Sequence, residues 1–135
     1  MYNPFSLTDK TVFVSGASSG IGKSIAIECS KMGARLFITG RNVKRLDETF
    51  KQLEGNGHFQ LVADLTAQDG IDYLAENLPS LDGIVHCAGI AKLLPFQFTN
   101  KEILEEVVAI NFKSHLILSQ FLLKKKKINK FIRDK

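Results

Sequence analysis

A glycine-rich segment, residues 15–22, constrains the possible folds of this chain more than any other feature. It reads Ser-Gly-Ala-Ser-Ser-Gly-Ile-Gly and lies between a β-rich apolar run and a stretch with helical periodicity. Glycines allow a tight turn and a close approach of the backbone to a ligand, and the unpaired amides at the start of a helix can bind phosphate. The triplet alone is a weak signal, because any strand-to-helix turn can use glycine. The order strand, glycine loop, helix predicts a βαβ unit with a phosphate-binding turn.

The rest of the chain alternates in the same way between short β-rich runs and longer helical stretches. This alternation predicts an α/β fold with a parallel sheet. No internal repeat or linker interrupts the pattern, and 135 residues suffice for only one ordinary domain. We predict strands over 11–15, 36–39, 59–63 and 83–87, and helices over 20–32, 42–55, 66–79 and 99–123.

Capping and packing preferences predict where the helices begin and which faces they bury. Asn42 and Thr66 are predicted N-caps of the second and third helices. The fourth helix is predicted to begin with a capping box formed by Thr99 and Glu102. In the first helix, apolar residues at helical spacing are predicted to face the core; these are Ile21, Ile25, Cys29 and Met32.

Basic residues are concentrated at one end of the chain. The formal net charge is +4, but residues 124–135 contain seven basic residues and one acidic residue, so residues 1–123 carry a net charge of −2. We therefore predict a domain over 1–123 and a basic polar tail over 124–135. The lysine run is interpreted as a solvated helix end, because cations suit the negative end of the helix dipole. Nucleic acid is not an expected partner, since no basic face continues into the body.

The cysteines and the apolar stretches of the sequence indicate a protein of a reducing compartment that does not cross a membrane. Cys29 and Cys87 lie in apolar stretches without a second Cys or His at metal-ligand spacing, so neither a disulfide nor a metal site is expected. The first ten residues lack the apolar core of a signal peptide. The most apolar stretch, 107–123, is interrupted by six polar residues and is not expected to cross a membrane. The expected location is the cytoplasm.

Residues 15–22 resemble the cofactor loop of the classical short-chain dehydrogenase/reductase family, in which Thr more often takes the place of Ser15. Three further segments agree with that family in order and spacing: Ala63-Asp64-Leu65, His86-Cys87-Ala88-Gly89 and Asn111. The resemblance covers residues 7–123 and is closest in look to 3-oxoacyl-(acyl-carrier-protein) reductases. It implies a Rossmann-type, doubly wound parallel sheet of strand order 3-2-1-4, truncated to the amino-terminal half of a reductase.

The resemblance also implies roles for individual residues. Asp64 corresponds to an acid that holds the adenine, although it could instead be a strand-end cap. His86 and Cys87 replace two asparagines and are predicted to be structural, while His58 and His115 receive no role. The predicted cofactor-binding residues are Gly16, Ser18, Ser19, Gly20, Ile21, Gly22, Arg41, Asp64, Leu65, Ala88 and Gly89, and the predicted catalytic residue is Asn111; no metal ligand is predicted.

The end of the second strand bears on the choice of cofactor. Rossmann domains that use NAD carry an acid there, which accepts hydrogen bonds from the ribose 2′-hydroxyl. This chain has Thr39-Gly40-Arg41, so no carboxylate would repel a 2′-phosphate, and Arg41 can donate a bidentate pair to one. NADP(H) is therefore predicted. NAD(H) is the alternative if Arg41 is only a solvated residue at a helix start.

The resemblance implies an oxidoreductase that transfers hydride between a carbonyl and an alcohol, with a Tyr as general acid/base and a Lys four residues later. The Lys is needed because a free phenol, with a pKa of about 10, exchanges protons poorly at neutral pH. Tyr2 and Tyr73 are followed four residues later by Ser6 and Asn77, so no Tyr-x-x-x-Lys is present. The catalytic Ser of the family is missing as well. We expect a truncated form that is inactive alone; the alternative is a non-catalytic nucleotide-binding or interaction module.

Two expectations about assembly follow from the same resemblance. The helix over 99–123 contributes to dimer interfaces in the family, so a homo-oligomer through this helix is an expected partner. The fourth strand is expected to be an exposed sheet edge, because the strands that would cover it are absent from the sequence.

Overall fold

A parallel four-stranded sheet organises the chain in the computed structural model, which describes residues 1–129. All three strand pairings are parallel. The strands are β1 (Thr11–Ser15), β2 (Arg35–Gly40), β3 (Phe59–Val62) and β4 (Gly83–His86), in the order β3-β2-β1-β4. The Rossmann-type α/β fold and the strand order implied by the sequence are confirmed.

Helices connect and cover these strands. The first three, which lie between successive strands, provide the crossovers that parallel pairing requires. Within the described residues, no helix is both long enough and apolar enough to span a membrane. The helices are α1 (Gly20–Lys31), α2 (Val43–Lys51), α3 (Gln68–Asn77), α4 (Lys101–Val108) and α5 (Ser114–Lys124), with a short 3-10 turn, Phe96–Phe98, before α4.

Alternating strand residues fill two cores, one on each face of the sheet. On β1, Phe13 belongs to the core covered by α3 and α5, whereas Val12 and Val14 belong to the core covered by α1 and α2. Each large apolar side chain that is fully buried contributes about 1.5–3 kcal/mol relative to exposure. The first core contains Phe37, Leu61, Leu74, Leu78, Leu118 and Leu122, and the second contains Ala26, Ala34, Leu36, Ile38 and Leu46.

The buried face of α1 differs from the prediction. Ile21 is 76% exposed, and the buried residues of the helix are Gly22, Ala26 and Ser30. Ile25 and Cys29 only border the core. The reason is close packing: the start of α1 lies so near the end of β1 that a Cβ on Gly22 would overlap the Gly16 carbonyl. Small residues therefore occupy the inner face of α1. The larger apolar residues of the predicted face lie beside it or are exposed.

Three helix ends also differ from the prediction. Asn42 is the N-cap of α2, as predicted, but this helix ends at Lys51 rather than near residue 55. Thr66 does not cap α3, because both its amide and its hydroxyl donate to the Asp64 carboxylate. The N-cap of α4 is Asn100 rather than Thr99, since the Asn100 side chain accepts a hydrogen bond from the Ile103 amide at 2.9 Å.

The predicted single helix over 99–123 is interrupted by a π-helical segment, Ala109–Lys113. This segment joins α4 to α5 without breaking the helical path. A π-helical turn contains one extra residue, and such turns are frequent at functional sites. Here it includes Asn111, which was singled out from the sequence.

Lys124, Lys125 and Lys126 are exposed, in agreement with the solvated end predicted for the lysine run, whereas Lys127 and Ile128 pack on the body. Lys127 Nζ donates to the carbonyl oxygens of Ala75, Glu76 and Leu78 at the end of α3. Ile128 then forms a parallel bridge with Leu81, just before β4. Residues 130–135 of the predicted tail lie outside the described residues.

Candidate functional site

A cavity of about 730 Å³ opens at the carboxyl ends of the parallel strands. Ligands of open α/β sheets bind at this edge, where the strand order reverses. The loop after β1, the loop after β2, the loop after β3 and the loop after β4 all contribute to its wall. The cavity is lined by Gly16, Ser18, Ser19, Ile21, Gly22, Arg41, Asp64, Leu65, Ala88 and Gly89, among others. These are all of the residues singled out from the sequence except Gly20 and Asn111.

The glycine loop has backbone geometry that other residues cannot adopt without strain. Gly16 has a φ of +63°, and a Cβ at this position would lie 2.6 Å from the Ala88 nitrogen and from the Cys87 carbonyl oxygen. The loop therefore touches the segment after β4 backbone to backbone. The first turn of α1 starts from this loop, and the Ser19 side chain makes no cap hydrogen bond to it. Amides at this helix start are thus available to a ligand.

Ser15 fixes the distance between β1 and the loop after β4. Its buried hydroxyl accepts hydrogen bonds from the Cys87 and Ala88 amides at 3.1 and 3.2 Å, and it lies 3.4 Å from the Val85 carbonyl oxygen, to which it donates. From the sequence, Ser15 stood out only as a replacement of Thr and had no predicted role. A hydroxyl at the end of the strand before a glycine loop was the available signal.

Charged groups lie on the side of the cavity formed by the ends of β2 and β3. Arg41 and Arg45 both line it, so a second guanidinium joins the one identified from the sequence. Asp64 Oδ1 accepts from the Thr66 amide at 2.9 Å and from its hydroxyl at 2.6 Å. These bonds, with a smaller contribution from the charge of Arg41, hold the pKa of Asp64 below its ordinary value. Asp64 is therefore a carboxylate at neutral pH.

Asn111 does not line the cavity; its side chain acts on the site by binding the backbone of Ile90. Its side-chain oxygen accepts from the Ile90 amide at 2.8 Å, and its side-chain nitrogen donates to the Ile90 carbonyl at 2.9 Å. Asn111 thus holds the irregular segment that follows Gly89. Its neighbour Ile110 lines the cavity instead.

Two histidines that the sequence reading left out of the site lie behind the same loop. His86 stacks on His115, and His115 Nε2 lies 2.8 Å from the Ala88 carbonyl oxygen. Cys87, predicted to be structural, lines the cavity. His58 lies elsewhere, at the start of β3, where its Nδ1 accepts from the Leu36 amide at 3.0 Å.

The cavity wall has no tyrosine, lysine or histidine among the residues that the structure describes. Tyr73 belongs to α3 and Tyr2 to the exposed amino terminus. Across residues 1–129, no group of three or more His, Cys, Asp or Glu side chains is arranged to hold a metal ion. The described site thus offers ligand-binding groups without a proton donor of the Tyr–Lys type.

Known proteins match this chain over most of its length. A 3-oxoacyl-(acyl-carrier-protein) reductase of Rickettsia bellii is 32% identical over 126 residues, which cover 93% of this chain and 52% of that protein. An uncharacterised oxidoreductase of Escherichia coli is 29% identical over 127 residues, covering 87% of this chain and 50% of that protein. The chain spans about half the length of these curated relatives.

Solved structures agree with the sequence matches. A short chain dehydrogenase from Escherichia coli complexed with NADPH superimposes with a TM-score of 0.81 at 27% identity, covering 91% of this chain and 55% of that chain. One from Shigella flexneri complexed with NADP also gives a TM-score of 0.81, at 29% identity, with coverage of 90% and 55%. The short chain dehydrogenase family model matches residues 10–130. The chain therefore belongs to the short chain dehydrogenase family.

Proposed function

We propose that this chain binds NADP(H) in the cavity at the carboxyl ends of its strands, as the nucleotide-binding half of a short-chain oxidoreductase. The observation that carries the proposal is the pairing, in one cavity, of a glycine cradle at a helix start with the guanidinium groups of Arg41 and Arg45. The solved relatives complexed with NADPH and NADP support the same cofactor.

The glycine cradle fits a pyrophosphate group. Gly16 and Gly22 let the loop pack closely against the segment after β4, and the space beside Gly20, where a Cβ would meet nothing within 4 Å, leaves the helix start open to phosphate oxygens. The amides of residues 20–22 point toward the cavity end of α1, where the helix dipole favours negative charge. Ser18 and Ser19 add hydroxyl donors to this wall.

The two arginines fit the 2′-phosphate that distinguishes NADP from NAD. Guanidinium groups form bidentate, charge-assisted hydrogen bonds with phosphate oxygens. Arg41 follows β2 directly and Arg45 lies one helical turn later, so both can reach a phosphate on the adenosine ribose. The adjacent Asp64 and Leu65 would then hold the adenine, by a hydrogen bond to its amino group and by apolar contact respectively.

The loop after β4 would hold the nicotinamide side of the cofactor. When bound, the nicotinamide ring gives or accepts the hydride. Ala88 and Gly89 line this part of the cavity, and Asn111 fixes the next residue, Ile90, by two hydrogen bonds. In this arrangement Asn111 is a positioning residue of the chain, acting through Ile90.

We propose that the 135 residues alone do not reduce carbonyl compounds. The described cavity has no tyrosine or lysine to move a proton to or from a substrate oxygen, and neither tyrosine of the sequence is followed by a lysine four residues later. Incubation of the purified chain with NADPH and a panel of ketones and 3-oxoacyl thioesters should leave the absorbance at 340 nm unchanged. Turnover that scales with protein concentration would overturn this part of the proposal.

Isothermal titration with NADP⁺ and NAD⁺ tests cofactor binding directly. The chain should bind NADP⁺ more tightly than NAD⁺. Arg41→Ala and Arg45→Ala should each weaken NADP⁺ binding about tenfold or more, the usual consequence of losing a charged hydrogen bond, and should change NAD⁺ binding little.

Lys44→Ala is the matched control for these arginine variants. Lys44 is a cation of α2, next to Arg45 and three residues after Arg41, but it does not line the cavity. Its removal should leave both affinities within about twofold of the unmodified chain, as is usual for an exposed substitution. Equal losses in all three variants would mean that only the overall charge of α2 matters. A chain that binds neither nucleotide would overturn the proposed function.

A second candidate function, an interaction module that pairs with a copy of itself, is favoured by one observation. The outer surface of the segment from α4 to α5 leaves large apolar side chains exposed; they are Leu104, Phe112, Leu116 and Ile117. Exposed apolar patches of this kind mark interfaces. Light scattering coupled to size exclusion should report a dimer that dissociates in a Phe112→Asp, Leu116→Asp double variant. A monomer in the unmodified chain at high concentration would contradict this candidate.

A further inference from the structure

The two histidines behind the loop after β4 form a stacked pair. The ring centroids of His86 on β4 and His115 on α5 are 4.8 Å apart, with planes inclined by 16°. His86 Nε2 lies 2.8 Å from the hydroxyl of Ser119, one turn further along α5. The pair therefore ties the end of β4 to α5 by a ring contact and one hydrogen bond.

His115 connects this pair to the cofactor cavity through Ala88. Its Nε2 lies 2.8 Å from the Ala88 carbonyl oxygen, and because a carbonyl can only accept, Nε2 must carry the proton. The Ala88 amide donates in turn to Ser15. Both polar backbone atoms of Ala88 are thus held by side chains, and Ala88 itself lines the cavity.

The surroundings of His86 suit only its neutral form. Its Nδ1 is buried and has no hydrogen-bond partner among residues 1–129. The protonated ring carries an N–H on both nitrogens, so its Nδ1–H would have no acceptor, and it would place a cation against the neighbouring ring. Burial first, and the charge of His115 second, lower the pKa of His86 below its ordinary value of 6.5. A protonated His86 is therefore expected to leave the pair for water.

The groups that face His86 come from the elements packed around it. β1 presents Ser15, its register partner, and β4 itself continues into the thiol of Cys87. α5 presents Ser119 and the ionisable His115. Glu106 of α4 forms its ion pair with Lys92 of the loop after β4, at 3.4 Å, and not with His86. None of these contacts gives His86 a carboxylate that would stabilise its charged form.

We propose that His86 and His115 form a proton-sensitive support for Ala88, so that acidification weakens dinucleotide binding by this chain. His115 is the positioning residue, because it holds the Ala88 carbonyl, and His86 is the group whose protonation removes the ring on which His115 rests. This inference rests on the proposed function, because it takes the cavity to be the dinucleotide site.

The test compares the ratio of NADP⁺ dissociation constants at pH 5.5 and pH 7.5 among variants. One proton linked to binding changes an affinity by at most about tenfold per pH unit, so we expect the unmodified chain to show a larger ratio than His86→Gln, by a factor within that limit. Gln keeps an amide near the position of Nε2 for Ser119 but cannot be protonated. The 2′-phosphate, with a second pKa of about 6, titrates in all variants alike, so its contribution cancels in the comparison.

His58→Asn is the matched control for loss of a histidine. His58 binds the Leu36 amide and lies outside the cavity wall, so this variant should keep the ratio of the unmodified chain. His115→Gln, which can still donate to the Ala88 carbonyl, should give a ratio close to that of His86→Gln because the stacked pair is lost. Equal ratios for the unmodified chain and His86→Gln would overturn the inference.

A ligand-free measurement separates failure of this inference from failure of the proposed function. In an NMR titration of the chain without nucleotide, the Ala88 amide resonance should shift with the same midpoint as the His86 ring, and this shift should vanish in His86→Gln. An Ala88 amide shift that does not follow the titration of the His86 ring would overturn the inference even if NADP⁺ binds. Absence of NADP⁺ binding with the coupled titration intact would overturn the proposed function alone.

Discussion

The hydroxyl of Ser15 accepts a hydrogen bond from the Ala88 amide at 3.2 Å, although the two residues are 73 positions apart in the chain. The same oxygen accepts from the Cys87 amide at 3.1 Å. β1 and β4 are neighbours in the sheet, so the side chain at the end of one strand can satisfy the backbone that leaves the other. This bond sets the width of the cleft in which Gly16 meets the segment after β4.

Replacing Ser15 with Ala should destabilise the chain and loosen that cleft. Two amides would lose their acceptor in a buried place, which costs about 1–3 kcal/mol. Urea unfolding should report this loss, and titration should show weaker NADP⁺ binding. Ser15→Thr keeps the hydroxyl and should retain most of both. Ser15→Ala with unchanged stability and affinity would contradict the role that we assign to this hydroxyl.

Gly16→Ala should be more harmful than an ordinary glycine substitution. A left-handed backbone costs a residue with a Cβ about 1–2 kcal/mol, and here the added carbon would also overlap the backbone of Cys87 and Ala88. Gly55→Ala is the matched control, because Gly55 also has a positive φ, +83°, but meets only the far end of His58 at 3.8 Å. Thermal unfolding should show the larger loss for Gly16→Ala, together with loss of NADP⁺ binding.

Lys127→Met should destabilise the chain although the residue belongs to a run of four lysines. Its ammonium group donates to carbonyl oxygens at the end of α3, including that of Leu78 at 2.6 Å. Charged hydrogen bonds of this kind are worth about 1.5–3 kcal/mol. Lys124→Met, at an exposed position of the same run, should change the free energy of unfolding by less than about 0.5 kcal/mol. Similar effects of the two variants would show that Lys127 is solvated.

Acid should weaken the contact that Asp82 makes between β1 and the segment after α5. Its carboxylate accepts from the Thr11 amide and from the Asn129 side chain, both at 2.9 Å. These bonds, that of Thr11 first, lower the pKa of Asp82 below its ordinary value of 3.8. A lowered pKa of an acid stabilises the fold above 3.8, and the contribution is lost as the pH falls toward the folded-state pKa.

Urea unfolding between pH 6 and pH 2.5 checks this expectation for Asp82. The unmodified chain should lose more stability over this interval than Asp82→Asn, which has no carboxylate to protonate at this position. Parallel losses in the two proteins would assign the acid sensitivity to other carboxylates.

The strands and the glycine loop could be predicted because their signals are local. Apolar runs, turn glycines and the Asn42 cap act within a few residues, and the strands came out within one or two residues of their predicted bounds. The wrong predictions of N-cap residues have a physical reason. Thr99 and Asn100 are adjacent residues that can both cap a helix, and only the backbone decides that Asn100 reaches Ile103.

The parts of the site that sequence reasoning missed depend on contacts between distant elements. Ser15 gains its role only when β1 lies beside β4, and His115 gains its role only when α5 packs behind Ala88. Ser15 does belong to a local pattern, the glycine loop, but that pattern does not identify its partners after β4, and His115 belongs to no local pattern. The π-helical segment likewise has no apolar periodicity that separates it from an ordinary helix, so the long helix over 99–123 could be predicted from the sequence but its π-helical turn could not.

The position of β4 affects how the sheet opens. Among residues 1–129, β4 pairs along its length with β1 alone, and its four residues are only partly buried, whereas β1 and β2 lie inside the sheet with strands on both sides. Backbone amides of β4 should therefore exchange their hydrogens with solvent through local fraying, while those of β1 and β2 should exchange only through global unfolding. The rim of the sheet nearest the histidine pair is thus a part of the molecule that a bound molecule can protect from fraying.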